Sequence, residues 1–141
     1  MQTRGGIGII EDDLELQYLY GMIIQSEGYH VSFTARTSDA AVERFEKCSP
    51  APDVLIIDYR LIDSSGIDAA QKIRKIDPDI KIIFATADIN IEKRLEDLNV
   101  SAILQKPFSM RDLIDAINGP AYPDLSIGQR SRYCYNTPFT V

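Results

Sequence analysis

One alternation, repeated five times, constrains the fold of this chain: a short β-branched run followed by a helical period. Ile7 to Ile10, Val31 to Thr34, Val54 to Ile57, Ile80 to Phe84 and Ala102 to Leu104 read as strands. Apolar residues then recur at helical spacing in five sets: Leu16, Leu19 and Ile23; Ala41, Phe45 and Cys48; Ala69, Ile73 and Ile76; Ile91, Leu95 and Leu98; Leu113, Ile114 and Ile117. Ser65-Gly-Ile-Asp68 and Ser109-Met-Arg-Asp112 predict capping boxes at the third and fifth helices. Gly28, Pro78 and Gly119-Pro120 mark helix ends. Parallel crossovers are right-handed and need a helix, so the pattern predicts a doubly wound α/β fold with a parallel sheet covered on both faces.

In such sheets ligands gather beyond the carboxyl ends of the strands, where strand order reverses. The polar residues fall there. Glu11 and Asp12 follow the first strand, Asp58 ends the third after four apolar residues, Thr86 ends the fourth, and Lys106 follows the fifth. Three crowded carboxylates repel unless a cation intervenes, and hard oxygen ligands suit Mg²⁺. A carboxylate fixed at a strand end can attack phosphorus to give an acyl phosphate, with Mg²⁺, Lys106 and the Thr86 hydroxyl binding the transferred oxygens.

Composition excludes other classes. The chain of 141 residues carries 15 basic and 21 acidic side chains, a net charge of −6, with no basic stripe to track phosphates. Direct nucleic-acid binding is therefore not expected. No apolar leader and no membrane-spanning run is present in the sequence, which reads as cytoplasmic. Cys48 and Cys134 have neither metal-ligand nor disulfide-framework spacing, and the single histidine, His30, lies between a helix and a strand.

Over roughly residues 6 to 118 the chain resembles the receiver domain of two-component response regulators. The resemblance rests on Ile9-Ile-Glu11-Asp12, Ile56-Ile57-Asp58 with Gly66 eight residues on, Phe84-Ala85-Thr86-Ala87 and Lys106-Pro107-Phe108. It implies a flavodoxin-like, five-stranded sheet of order 2-1-3-4-5. By position it implies Asp58 as phosphoacceptor, Asp12 and Glu11 as metal-binding acids, the Arg60 carbonyl as a backbone ligand, Thr86 as switch hydroxyl and Lys106 as phosphoryl contact. A cis Lys106-Pro107 bond is also implied, and Asp13 is left as an expected helix N-cap. The implied partners are a sensor histidine kinase or phosphotransfer protein and a downstream protein target, with homodimerisation open.

The departures from that pattern carry their own expectations. Ile103 stands in place of the usual aromatic switch residue, so activation would travel through the fourth strand and fourth helix by another packing change. Ile62 replaces a usual proline. Arg60 and Asp88 flank the expected path of attacking water, either as an ion pair across the pocket mouth or as two solvated side chains. The expected organisation is a flexible segment 1–6, a receiver domain 7–118 and a tail 119–141. That tail contains Tyr122, Tyr133, Tyr135 and Phe139. Disorder, docking on its own domain, docking on a second copy and docking on a partner all remain open for it. A stand-alone chemotaxis or phosphorelay type fits best. The alternatives are a fragment of a longer regulator, a pseudo-receiver that is never phosphorylated, and a haloacid dehalogenase-type phosphatase. The last needs a second acid where Arg60 stands.

Overall fold

The computed structural model describes residues 5–88, 90, 95 and 98–119. Most of the helical period at Ile91 and everything after Gly119 lie outside the described residues. The elements are β1 (Gly6–Ile10), α1 (Leu14–Ser26), β2 (His30–Ala35), α2 (Ser38–Lys47), β3 (Val54–Asp58), α3 (Gly66–Ile76), β4 (Lys81–Thr86), β5 (Ala102–Gln105) and α4 (Met110–Asn118). The five strands are all parallel and ordered β2-β1-β3-β4-β5. Strand order therefore reverses between β1 and β3. Ile10 pairs with Ile57 and Asp58 with Ala85, so one step further Glu11 emerges beside Asp58 and Thr86 ends the next strand over.

Alternate side chains of each strand feed two cores. Leu55, Ile57, Ile82 and Phe84 pack with Ala41, Phe45 and Ile73 of α2 and α3. Val54, Ile56 and Ile83 face the other way, toward Ile23 and Ile24 of α1 and Leu113 of α4. Truncating one of the fully buried strand isoleucines to Ala is expected to cost ~2–5 kcal/mol, which is why the central strands hold the rim residues in fixed positions.

Three local expectations are corrected. On α1 the buried stripe is Tyr20, Ile23 and Ile24, while Leu19 is 47% exposed. Tyr20 belongs to this stripe because its ring stacks on Phe108 at 5.7 Å, a contact from the far end of the chain. On α3, Ala69, Ala70 and Ile73 are buried, and Ile76 reaches solvent in the last turn. The Ser65 side chain makes no cap hydrogen bond. Its intended partner Asp68 is engaged elsewhere, accepting from the Ser38 hydroxyl at 2.6 Å and pairing with Lys72 at 3.2 Å. At α4 the expected capping box is complete, with Ser109 and Asp112 exchanging bonds. At the end of α1, Gly28 adopts φ 92°, the left-handed conformation that lets the Tyr29 amide return to the Ile24 carbonyl.

Candidate functional site

Four strand ends build one rim. Glu11, just past β1, is 1% exposed. One of its oxygens accepts from the Asp13 amide at 3.2 Å and the other from Lys106 Nζ at 3.1 Å. Asp13 points the other way and caps α1, accepting from the Glu15 and Leu16 amides at 2.9 and 3.3 Å. That division of labour leaves Glu11 and Asp12 facing inward. Glu11, Asp12 and Asp58 can each offer one oxygen with all three within 4.8 Å of one another. Lys106 Nζ also lies 3.4 Å from Asp58 Oδ1, bridging the two buried acids. A cavity of about 430 Å³ opens over them, lined by Asp12, Asp58, Arg60, Thr86, Asp88 and Lys106.

The electrostatics follow from this crowding. Burial, then a hydrogen bond and the charge shared with Asp58, push the Glu11 carboxyl up from 4.5 to about 8, against the pull of Lys106. Two adjacent buried carboxylates resist carrying charge together, and this holds Glu11 above the usual carboxylate range. Burial alone would lower Lys106, but the charges of Glu11 and Asp58 outweigh it and hold the ammonium above its usual value. Three converging carboxylate oxygens, with one lysine between two of the acids, fit a small hard divalent cation.

Two loops set the geometry around Asp58. After β3 the Tyr59 amide continues the ladder to the Ala85 carbonyl at 2.9 Å, and the Gly66 amide closes back on the Tyr59 carbonyl at 2.6 Å. Arg60 and Ser65 form an antiparallel bridge between those bonds. Gly66 is required there, because a Cβ would lie 2.2 Å from the Asp58 carbonyl oxygen. After β4 the Thr86 hydroxyl accepts from the Asp88 amide at 3.0 Å and sits 3.2 Å from the Asp88 carbonyl, so it is turned into its own loop. Lys106 is placed by its backbone amide, which donates a hydrogen bond to the Thr86 carbonyl at 2.7 Å, and the Lys106-Pro107 bond is cis.

Arg60 and Asp88 both line the cavity, yet among the described residues no ion pair joins them. Asp88 instead accepts from the Asn90 amide at 2.9 Å. Ile103 is buried opposite Phe84. Sequence reasoning did not find the raised Glu11 carboxyl, nor the Ser38 bonds to Asp63 and Asp68 that tie α2 to the loop after β3 and to α3. The first depends on burial and on Asp58, 47 positions away, which spacing along the chain does not reveal. The second joins residues 25 and 30 positions apart and has no local signal.

The family model of the response regulator receiver domain matches residues 7–118. The chain is 30% identical over 112 residues to the chemotaxis protein CheY of Thermotoga maritima, covering 78% of this chain and 92% of that one. It is 29% identical to the response regulator receiver protein CpdR of Brucella abortus, covering 77% and 90%. It is 31% identical to the transcriptional regulatory protein CssR of Bacillus subtilis, but there the match spans only 47% of the relative's length. Among solved structures, a CheY-like receiver protein from Methanospirillum hungatei superposes with a TM-score of 0.73 at 26% identity, covering 82% of this chain and 91% of the other.

Proposed function

From the premise that the chain belongs to the response regulator receiver family, we propose that Asp58 is the phosphoacceptor of a two-component signalling step. The observation that carries this is the cluster of Glu11, Asp12 and Asp58, with Lys106 joining Glu11 to Asp58, at a cavity lined by Asp12, Asp58 and Lys106. Glu11, Asp12, Asp58 and the Arg60 carbonyl would hold Mg²⁺, which offsets the negative charge of the acids and of an incoming phosphoryl group. Asp58 supplies the nucleophile: its carboxylate oxygen forms the new P–O bond while the P–N bond to a donor histidine breaks, and the leaving imidazole takes up a proton. Lys106, already 3.4 Å from Asp58, contacts a phosphoryl oxygen. Thr86 leaves its bond with Asp88 and turns its hydroxyl to another phosphoryl oxygen, pulling the loop after β4 with it.

The donor comes from outside the chain. The single histidine, His30, starts β2 at the amino edge of a parallel sheet whose carboxyl edge holds Asp58. A sensor histidine kinase or phosphotransfer protein fits that need, and the loop after β4, together with β5 and α4, presents the changed surface to a downstream protein. Chemistry is confined to self-catalysed phosphorylation and hydrolysis. With Ile103 buried against the core, the Thr86 movement acts through packing around Phe84 and Leu95 rather than an aromatic swing.

The test is a titration of the protein with beryllofluoride and Mg²⁺ followed by amide NMR. Displaced Thr86, Ala87 and Lys106 resonances, unmoved in Asp58→Asn, are expected. Unchanged shifts in the wild type would remove both the phosphoacceptor and the switch assignments.

A further inference from the structure

Outside the acidic site, one surface is out of keeping with the rest. A cavity of about 360 Å³ lies between α1 and α4, lined by Leu16, Leu19, Tyr20, Phe108 and Met110, with Lys106 at one end. Leu19 and Met110, which both line this cavity, stand 47% and 56% exposed. Scattered exposed apolar residues need no explanation, but a groove with an apolar lining and exposed Leu and Met side chains at its edge marks a binding surface.

The chain itself contains a fitting occupant. Residues 120–141 carry Tyr122, Leu125, Ile127, Tyr133, Tyr135 and Phe139. Their charged residues are Arg130 and Arg132 against one acid, Asp124, whereas the exposed charges of α1 and α4 are Glu15 and Asp115 against Arg111, and Lys106 in the groove is already paired with Glu11 and Asp58. The exit point is fixed at the carboxyl end of α4, one helix length from the groove. Asn118 at the end of α4 accepts a bond from the Tyr29 hydroxyl just beyond α1, and Lys81 Nζ donates to the Ile117 and Gly119 carbonyls. The two helices thus run side by side in the same sense, and a segment leaving Gly119 must travel back only the nine residues of α4 to meet Met110. That is ~14 Å, or about four to five extended residues.

We propose that residues 122–139 fold back and dock in the α1–α4 groove of their own chain. The short connection gives an effective concentration on the order of mM, so even a weak apolar contact is populated without a second molecule. Because Lys106 and Pro107 form one end of the groove, the docked segment covers a surface contiguous with the acidic site.

The test uses the full chain with ¹³C-labelled Leu and Met methyl groups. NOEs are expected from tail Tyr and Phe rings to the Leu19 and Met110 methyls, independent of dilution, and absent from isotope-filtered spectra of mixed labelled and unlabelled chains. The double variant Leu19→Glu, Met110→Glu replaces two exposed side chains, so the fold persists, and it is expected to lose those NOEs and shift the tail rings to random-coil positions. No NOE in the wild type, or tail shifts identical in wild type and variant, overturns the proposal. NOEs that appear across chains in the filtered spectrum overturn it in favour of a second copy. None of these readings depends on Asp58 or metal.

Discussion

Replacing Gly66 by Ala tests how the fold holds the end of β3. A Cβ at this position would stand 2.2 Å from the Asp58 carbonyl oxygen and 2.7 Å from Ile57 Cγ2, so the first contact must open to at least 3.0 Å. Neither side yields easily. Asp58 lies at the end of a central strand paired to β4, and Gly66 opens α3 while donating to the Tyr59 carbonyl at 2.6 Å. Overpacking of this kind costs ~1–3 kcal/mol, and weakening the Gly66 hydrogen bond adds ~1 kcal/mol, so a loss of ~2–4 kcal/mol is expected in urea unfolding. Displacing the nucleophile by an appreciable fraction of an ångström is also expected to slow phosphorylation by acetyl phosphate by ~10²-fold, measured well below the unfolding midpoint. A variant within ~0.5 kcal/mol of wild type, with an unchanged rate, would refute the claim that this backbone contact positions Asp58.

Further outcomes follow from the same geometry. Glu11 is raised from 4.5 to about 8 in the folded, metal-free protein, so the native state binds a proton that the unfolded chain releases between those values. Its contribution is full below 4.5 and is lost as pH rises through 8. Urea midpoints in EDTA should therefore fall over that window, and Glu11→Gln should flatten the slope. Lys106, raised above 10.5, loses its contribution only at higher pH and leaves this window untouched. Mg²⁺ should restore the midpoint at pH 8 in wild type and do so less in Glu11→Gln. Ser109→Ala, which breaks a complete capping box, should cost ~0.5–2 kcal/mol, whereas Ser65→Ala should stay within ~0.5 kcal/mol; equal losses would contradict the cap assignments. Thr86→Ala should still accept a phosphoryl group yet show smaller amide shifts at Ala87 and Asp88, because the hydroxyl that couples the loop is gone.

What could be read from the sequence was what periodicity encodes. Alternating β-branched runs and helical stripes suffice for a parallel doubly wound sheet, and the register Ile10 to Ile57 and Asp58 to Ala85 then brings Glu11, Asp58 and Thr86 to one edge. The misreadings are places where a distant residue competes for a local partner. Asp68 suits a capping box until Ser38, thirty positions earlier, takes its carboxylate. Tyr20 falls outside the spacing Leu16, Leu19 and Ile23, and its stack with Phe108 places it inside. Leu19 matches the helical stripe, but the stripe that faces the sheet runs through Tyr20, Ile23 and Ile24. Arg60 and Asp88 are open to two readings in the sequence, an ion pair or two solvated side chains; among the described residues no ion pair joins them, and the Asp88 carboxylate accepts from the Asn90 amide. The protonation of Glu11 depends on burial and on a neighbour 47 positions away, and residue spacing alone does not encode it.

The most direct measurement is the intact mass of the full chain after incubation with acetyl phosphate and Mg²⁺, beside Asp58→Asn and a sample in EDTA. One phosphoryl adduct that disappears in both controls is the expected result. A folded wild-type protein that gains no mass, or an Asp58→Asn variant that gains the same adduct, would contradict the assignment of Asp58 as the phosphoacceptor.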